Sequence, residues 1–409
     1  MLLSATAGGV RAEAGPSPTA DGVAVATVPG AAAPAPSAPV AEDATWDTLF
    51  PNQTEANHTL RLLGSDVEPG TTARLIWSPA TTFDGRESPR AVLVANGSSP
   101  GPVMCLTGVV HGDEHNGLEI VRRVFYSLDP ARLIGAVIGI PIVNVDGFRR
   151  GSRYLPDRRD LNRYFPGRRN GSSASRIAYS LFNDVISHCS FLVDVHTGSF
   201  HRTNLPQLRA DLTDLDVLEL SRRFGSTVIL HNKGGSGTLR RAASEAGIPA
   251  VTLETGEPLR IQDKEVRQGT RAIHNALAAL NMYKRNTLWR EPPPVYYQSR
   301  WVRVNGGGVL LSDVRLGARV DVGDRLGTVT DPITNEVSDV LSPFNGRVLG
   351  MALNQVVLAG YAAFHIGIEA AQIDPMEGAD APEPAVEPAR STDPGAPSDA
   401  ADRDLENSE

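Results

Sequence analysis

The segment from Val103 to Val110 is apolar except at Thr107 and Gly108. It runs into His111-Gly-Asp-Glu114 and then into a helical pattern of apolar positions at Leu118, Ile120, Val121, Val124 and Phe125. An apolar run that gives way to a 3.6-residue period is a buried strand feeding a helix. That restricts the segment to an α/β architecture and places the polar residues between the two elements. His111 falls at the strand's carboxyl end and Glu114 in the first helical turn, so both can face one point. His196 ends a second apolar run, Phe191-Leu-Val-Asp-Val195, and takes the same position on another strand. In an open α/β sheet that edge is where sites assemble.

Two histidines and one carboxylate are the ligand set of a catalytic zinc site with one open position. His111-x-x-Glu114 alone arises by chance; the strand-then-helix context and the second strand-end histidine set it apart. His58, His188, His231, His274 and His365 have no such context and read as structural or solvated. His115 points about 100° away from Glu114 on a helix, so it reads as a supporting or surface residue.

The same alternation continues from about 70 to 282. Strands are expected at 74–76, 91–95, 103–110, 136–142, 191–195, 227–230 and 250–254, and helices at 116–128, 173–188, 214–224, 237–246 and 264–282. The pattern predicts a mostly parallel sheet with helices on both faces. After Pro292-Pro-Pro294 it changes. Short β segments separated by glycines (Gly306 to Gly308, Gly317, Gly323, Gly327, Gly346, Gly360) predict a small β-sandwich or barrel. Gly317-Ala-Arg-Val-Asp-Val-Gly323-Asp-Arg-Leu-Gly327 and Ser342-Pro-Phe-Asn-Gly346 resemble a biotinyl/lipoyl-type half-barrel. No lysine lies between Val295 and Glu369, so no cofactor is carried on one. The module is expected to be structural or to gate the cleft.

The organisation expected is an Ala/Pro-rich disordered segment over 1–44, a catalytic domain over 45–291, the β-module over 292–369 and an acidic disordered tail over 370–409. The chain's 409 residues, 41% of them hydrophobic, suffice for a large core. No apolar run approaches ~18 residues, so no membrane span is expected. The net charge is −8, but the stretch from Ala370 to Glu409 alone carries −9, which leaves the remainder near neutral. A nucleic-acid partner is therefore not expected. Cys105 and Cys189 sit beside apolar segments and read as small buried hydrophobes rather than a disulfide framework or thiolate ligands. Met1-Leu-Leu-Ser-Ala-Thr-Ala faintly resembles the end of a signal peptide, without a basic leader. The default expectation is a cytoplasmic chain with a disordered tail; the alternative is a start internal to a longer exported protein.

Two further motifs bear on chemistry. Asn144-Val-Asp-Gly147 ends the fourth strand, and Asn162-Arg163 follows within an arginine-rich loop that holds Arg149, Arg150, Arg153, Arg158, Arg159, Arg168 and Arg169. A planar guanidinium binds a carboxylate through two parallel hydrogen bonds, which would hold an acidic substrate group. Arg168 and Arg169 read as solvated. Glu254 ends the apolar strand Ala250–Leu253, where a carboxylate is costly unless paired or functional. It suits the general base that zinc hydrolysis requires. Glu257 lies past the strand end and reads as a solvated loop residue, with the base role as its lesser alternative.

His111-x-x-Glu114, Asp160-Leu-Asn-Arg163, Asp194-Val-His196-Thr and the strand ending in Glu254 together resemble the succinylglutamate desuccinylase/aspartoacylase family of the zinc carboxypeptidase superfamily. The resemblance covers about residues 70 to 368. It implies a carboxypeptidase-like mixed, mostly parallel sheet followed by an all-β half-barrel. It implies one zinc ion per chain on His111, Glu114 and His196, with Glu254 as general base and acid. Asn162 and Arg163 would bind the substrate carboxylate, with Arg159 beside them. An upstream arginine would polarise the scissile carbonyl; Arg153 fits best, with Arg158 or Arg159 as alternatives because the loop is longer than in shorter members. A tyrosine contributed by the module in some relatives has no clear counterpart.

The expected activity is that of an amidohydrolase cleaving a small N-acyl amino acid by metal-activated water. The alternative within the same chemistry is a metallocarboxypeptidase acting on short peptides, which a capping module disfavours. A binding protein on an inactive fold is a third class, disfavoured by the complete set of ligands, base and arginines. The expected partner is the small-molecule substrate; homo-oligomerisation stays open.

Overall fold

The computed structural model describes residues 55–56, 59–79, 88–284 and 292–369. The expectations for 1–44, for 370–409 and for His58 lie outside these residues. Strands β1 (Thr71–Trp77), β2 (Arg90–Asn96), β3 (Ser99–Gly108), β4 (Ile134–Ile140), β5 (Phe191–His196), β6 (Arg202–Ala210), β7 (Val228–His231) and β8 (Ala250–Gly256) build the body. Helices α1 (Asn116–Tyr126), α2 (Val145–Arg150), α3 (Ser173–Asp184), α4 (Leu215–Ser221), α5 (Leu239–Glu245) and α6 (Asp263–Ala279) flank it. The module contributes β9 (Ser299–Arg303), β10 (Gly308–Ser312), β11 (Arg325–Thr330), β12 (Val337–Leu341), β13 (Gly346–Ala352), β14 (Gln355–Val357) and β15 (Ala362–Ile368).

The large sheet runs β9-β15-β13-β6-β8-β5-β3-β4-β2-β1. Its centre, β8-β5-β3-β4, is parallel. Side chains alternate across it, as a strand's period of two requires. On β3, Met104 and Leu106 face α1, α4 and α6, while Val103 and Cys105 face α3 and α5. These strands are apolar on both faces because helices cover both. Each large aliphatic side chain so buried stabilises the fold by roughly 1.5–3 kcal/mol. The register sets the site: Gly108 lies opposite Val195, and Glu254 opposite His196, so the polar residues at these strand ends share one edge.

Three features depart from the sequence reading. The segment 201–209, for which the sequence offered no placement, enters strand β6 at Arg202, and β6 runs antiparallel to β8. Pro206 argues against a central strand, since it has no N–H to give the ladder. It is tolerated because it falls at a junction: Arg202–Asn204 pair with β13, and Gln207–Ala210 with β7. The ladder to β8 also shifts register there. The short helix α2 was not expected either; Asn144 caps it by accepting from Gly147 N at 2.8 Å, and Gly151 ends it in the left-handed region, φ 58°.

The third departure concerns the cysteines, which are not two separate hydrophobes. Cys105 and Cys189 form a disulfide, with Cα atoms 5.8 Å apart. They are 84 residues apart in sequence. Their proximity exists only because β3 and β5 are parallel neighbours and Cys189 lies in the turn entering β5.

The module joins the body by sheet continuation. β13 pairs with β6, and Val295–Tyr296 pairs with β7. Its second sheet, β12-β11-β10-β14, closes a separate apolar cluster that includes Val302, Leu310, Leu326, Val348, Phe364 and Ile366. Among the described residues, no helix is long and apolar enough to cross a membrane.

Candidate active site

His111, Glu114 and His196 are brought together as the sequence predicts, all buried, with one donor atom from each lying within 4.8 Å of the others. His111 Nδ1 is 2.7 Å from Glu114 Oε1, and His196 Nδ1 is 2.8 Å from Glu114 Oε2. The two Nδ1 atoms are 3.1 Å apart. The outer nitrogens face aspartates: His196 Nε2 is 2.7 Å from Asp194 Oδ2, and His111 Nε2 is 3.1 Å from Asp160 Oδ1. Burial opposes a charged His196, but Asp194 and Glu114 outweigh it and raise the ring well above its ordinary value. Burial and Arg153 likewise oppose a charged His111, while Glu114 and Asp160 raise it. Burial alone would raise Glu114; His111 and His196 hold it well below the carboxylate range. A buried carboxylate with two imidazole Nδ1 atoms aimed at it is a donor set suited to a divalent cation, which would replace the shared protons.

Backbone and side chains lock this cluster. Thr197 N donates to Glu114 Oε2 at 3.1 Å, and Ser199 Oγ to Oε1 at 3.0 Å. Arg153 is buried; its Nη1 reaches Glu114 Oε1 at 3.3 Å and also donates to Ser199 Oγ. Its Nε and Nη2 donate to Asp160 Oδ2 at 3.2 and 3.0 Å. Asp160 thus binds His111, Arg153 and, through Oδ1, the Asn162 N–H at 2.8 Å. Asn144 Nδ2 donates to the Arg153 carbonyl at 3.3 Å, which ties α2 to the same group.

The cleft over this cluster is also lined by Asn162, Arg163, Asn204, Arg209, Arg240 and Glu254. Glu254 is buried; Asn204 Nδ2 donates to its Oε2 at 3.1 Å, and Arg209 Nε stands 3.6 Å from its Oε1. Asn162 Oδ1 accepts from Leu239 N at 2.8 Å and so anchors the start of α5. Arg240 is fully enclosed; burial, then Arg209, lower its pKa to about 10. Three residues weighed from sequence stand elsewhere. Arg159 is exposed and paired with Asp157 at 2.8 Å, away from the cleft lining. Its neighbour Arg158, also exposed, adopts φ 67° in the same turn. Glu257 is not a solvated loop residue: it is largely buried, paired with Arg260 at 3.0 Å, and does not line the cleft.

The family model described as Succinylglutamate desuccinylase/Aspartoacylase catalytic domain matches residues 100–280. Over that stretch the chain is similar to the catalytic domain of the succinylglutamate desuccinylase/aspartoacylase family. One curated relative is the N-alpha-acetyl-L-2,4-diaminobutyric acid deacetylase of Halomonas elongata, 25% identical over 252 residues, 59% of this chain and 74% of that protein. Among solved structures, a succinylglutamate desuccinylase/aspartoacylase from Rhodobacter sphaeroides superposes with TM-score 0.66 at 23% identity, covering 75% of this chain and 99% of its own. The product-bound ectoine utilization protein EutE (DoeB) from Ruegeria pomeroyi gives TM-score 0.65 at 22% identity, covering 73% of this chain and 95% of its own. At these identities the structures establish the fold, including the β-module.

In this site the sequence alone left a supporting layer unseen. Asp194 and Asp160 stand inside the quoted motifs, yet their contacts to the histidines become visible only in three dimensions. Asn204 and Arg209 were missed because β6 was missed. Two signals were available: Asp194 is two residues from His196 on one strand face, and the 202–210 stretch carries Leu205 and Leu208 between polar residues.

Proposed function

We propose that this protein is a zinc-dependent amidohydrolase that removes the acyl group from the nitrogen of a small N-acyl amino acid. The observation that carries the reading is the convergence, in one cleft, of a His111/Glu114/His196 donor set, a buried strand-end carboxylate at Glu254 and the Asn162-Arg163 pair. The donor set fits zinc: two imidazoles and one carboxylate, each histidine backed by an aspartate that fixes the ring. When bound, zinc supplies a Lewis acid that lowers the pKa of a water and polarises the scissile carbonyl.

The chain's own groups carry the remaining roles. Glu254 takes a proton from the attacking water at its carboxylate and returns it to the leaving nitrogen. Arg163, with Asn162 fixing the turn that bears it, binds the substrate carboxylate. Arg153 stands against Glu114, where it stabilises negative charge developing on the carbonyl oxygen. Arg159 has no part in this. The body up to about 291 performs the chemistry, and the module over 292–369 walls the cleft, since Trp301 on β9 is among its lining residues.

The test is hydrolysis by the full-length protein of a panel of N-acetyl and N-succinyl amino acids and short peptides, with the released acid and amine measured by mass spectrometry. Cleavage of N-acyl amino acids that is lost on chelation and restored by zinc supports the reading. Cleavage that is indifferent to chelation, or turnover of peptides in preference to N-acyl amino acids, overturns it.

A further inference from the structure

In the apolar run from Val103 to Val110, Thr107 carries the one side chain with an oxygen or nitrogen atom, and it takes no part in the chemistry proposed above. It stands on β3 directly opposite Asp194 on β5, so the two side chains share one face of the sheet. Thr107 Oγ1 donates to Asp194 Oδ1 at 2.6 Å. Both residues are fully buried, at 0% exposure.

This hydroxyl heads a chain of buried contacts that ends at the donor set. Asp194 Oδ2 accepts from His196 Nε2 at 2.7 Å, and Nδ1 of the same ring faces Glu114 Oε2 at 2.8 Å. A carboxylate in a dry interior is costly unless its oxygens find donors, and its last side-chain torsion is soft, so it turns unless both oxygens are held. Among the described residues, the hydrogen-bond donors on Asp194 are His196 at one oxygen and Thr107 at the other. Asp160, which backs His111, is held by the charged Arg153 fork and by the Asn162 N–H. Bonds from a charged donor are the stronger kind. The His196 side of the donor set depends instead on one neutral hydroxyl.

Valine is the ordinary residue at such a position, because strands covered on both faces are rich in branched aliphatic side chains. Threonine has valine's outline with one methyl replaced by a hydroxyl, and branching at Cβ limits its χ1. The backbone therefore aims the hydroxyl. Two residues earlier on the same face, the Cys105–Cys189 bridge fastens β3 to the turn entering β5, which holds the register that sets Thr107 against Asp194.

We propose that Thr107 is a positioning residue for the metal centre: its hydroxyl fixes the Asp194 carboxylate and, through it, the direction in which His196 presents Nδ1. This rests on the zinc reading above. Thr107 touches neither the donor set nor the cleft lining. Its effect is on how firmly the ion is held, and that effect passes through Asp194.

The experiment measures the zinc affinity of the full-length protein by competition with a chromophoric chelator. Thr107→Val keeps the outline and removes the hydroxyl. It should weaken zinc binding by about threefold to tenfold, less than the roughly 10–100-fold cost of losing a group that bonds a ligand directly. Thr107→Ser restores the hydroxyl without the methyl and should stay within about twofold of the wild type, whereas a role in packing alone would make it the weaker of the two variants. Asp194→Ala removes the intermediary. Adding Thr107→Val to it should change affinity by less than about twofold, because an effect that acts through a missing partner is not additive. Thr107→Ala replaces the Val variant should that fail to fold. Unchanged affinity in Thr107→Val, a Ser variant as weak as the Val variant, or an equal loss with and without Asp194 overturns the proposal. If the wild type binds no zinc, the metal reading fails separately. Proton NMR of the metal-free protein then decides. A downfield His196 Nε2 proton seen in the wild type and in Thr107→Ser but lost in Thr107→Val supports the positioning role, and identical spectra overturn it.

Discussion

His196 donates from Nε2 to Asp194 at 2.7 Å, which turns Nδ1 of the same ring toward Glu114 at 2.8 Å. His111 has the same arrangement with Asp160 on its outer side. Both imidazoles are therefore fixed in tautomer and direction before any ion arrives, and both present Nδ1 to one point. A ligand oriented in this way binds metal more tightly than one free to rotate.

The first prediction follows from that orientation. Asp194→Asn should weaken zinc affinity by roughly 10–100-fold while leaving the site able to load at high zinc. His196→Ala should abolish stoichiometric binding. Competition with a chromophoric chelator measures both. An Asp194→Asn protein with unchanged affinity would mean that the aspartate only fills space.

A second concerns Glu254. Glu254→Gln keeps the shape and the contact from Asn204 but cannot accept a proton. Turnover should fall by at least about 10²-fold, with zinc content unchanged. Glu257→Gln should lower turnover by less than about threefold, since its partner is Arg260 outside the cleft lining and general-base losses are far larger. The reverse order of effects would assign the base to Glu257.

The disulfide gives a third. Denatured, unreduced protein should show no free thiol, because Cys105 and Cys189 are the chain's two cysteines. Replacing both by alanine should cost roughly 2–4 kcal/mol of stability, the usual range for a bridge closing a long loop. Thiol titration and denaturant melts of the two proteins check this. Two reactive thiols before reduction would exclude the bridge.

A fourth concerns pH and the module. His365 is buried with Nδ1 lacking a hydrogen-bond partner, and burial, then Arg209 and Arg202, lower its pKa from 6.5 to about 3. A depressed folded-state pKa means that the unfolded chain binds the proton first. Stability from this residue is therefore full above about 6.5 and declines as pH falls toward about 3. His365→Gln should flatten the stability slope across that window, whatever it does to the absolute level. Denaturant melts at several pH values measure the slope; an unchanged slope would mean that His365 titrates normally in the folded protein.

The sequence by itself determined the strand-and-helix alternation and the edge at which the cleft lined by His111, Glu114, His196, Glu254 and Arg163 assembles. Each stands at the end of an apolar run or within a short motif, so its position follows from local periodicity. It also determined the change to β structure after Pro294, because glycine spacing and the loss of a helical period are local signals too. What only the tertiary structure decided is the pairing of distant segments. β6 was illegible because its neighbours, β8, β7 and β13, come from three separate parts of the chain, and Pro206 is acceptable only at the junction between two of them. The bridge between Cys105 and Cys189 depends on two strands lying side by side across 84 residues. The exclusion of Arg159 and the clamping of Arg202 have the same origin. One arginine faces a neighbouring aspartate and the other lies between two rings of a separate module. An arginine's surroundings are fixed by what folds against it, and its own sequence neighbours carry no record of that.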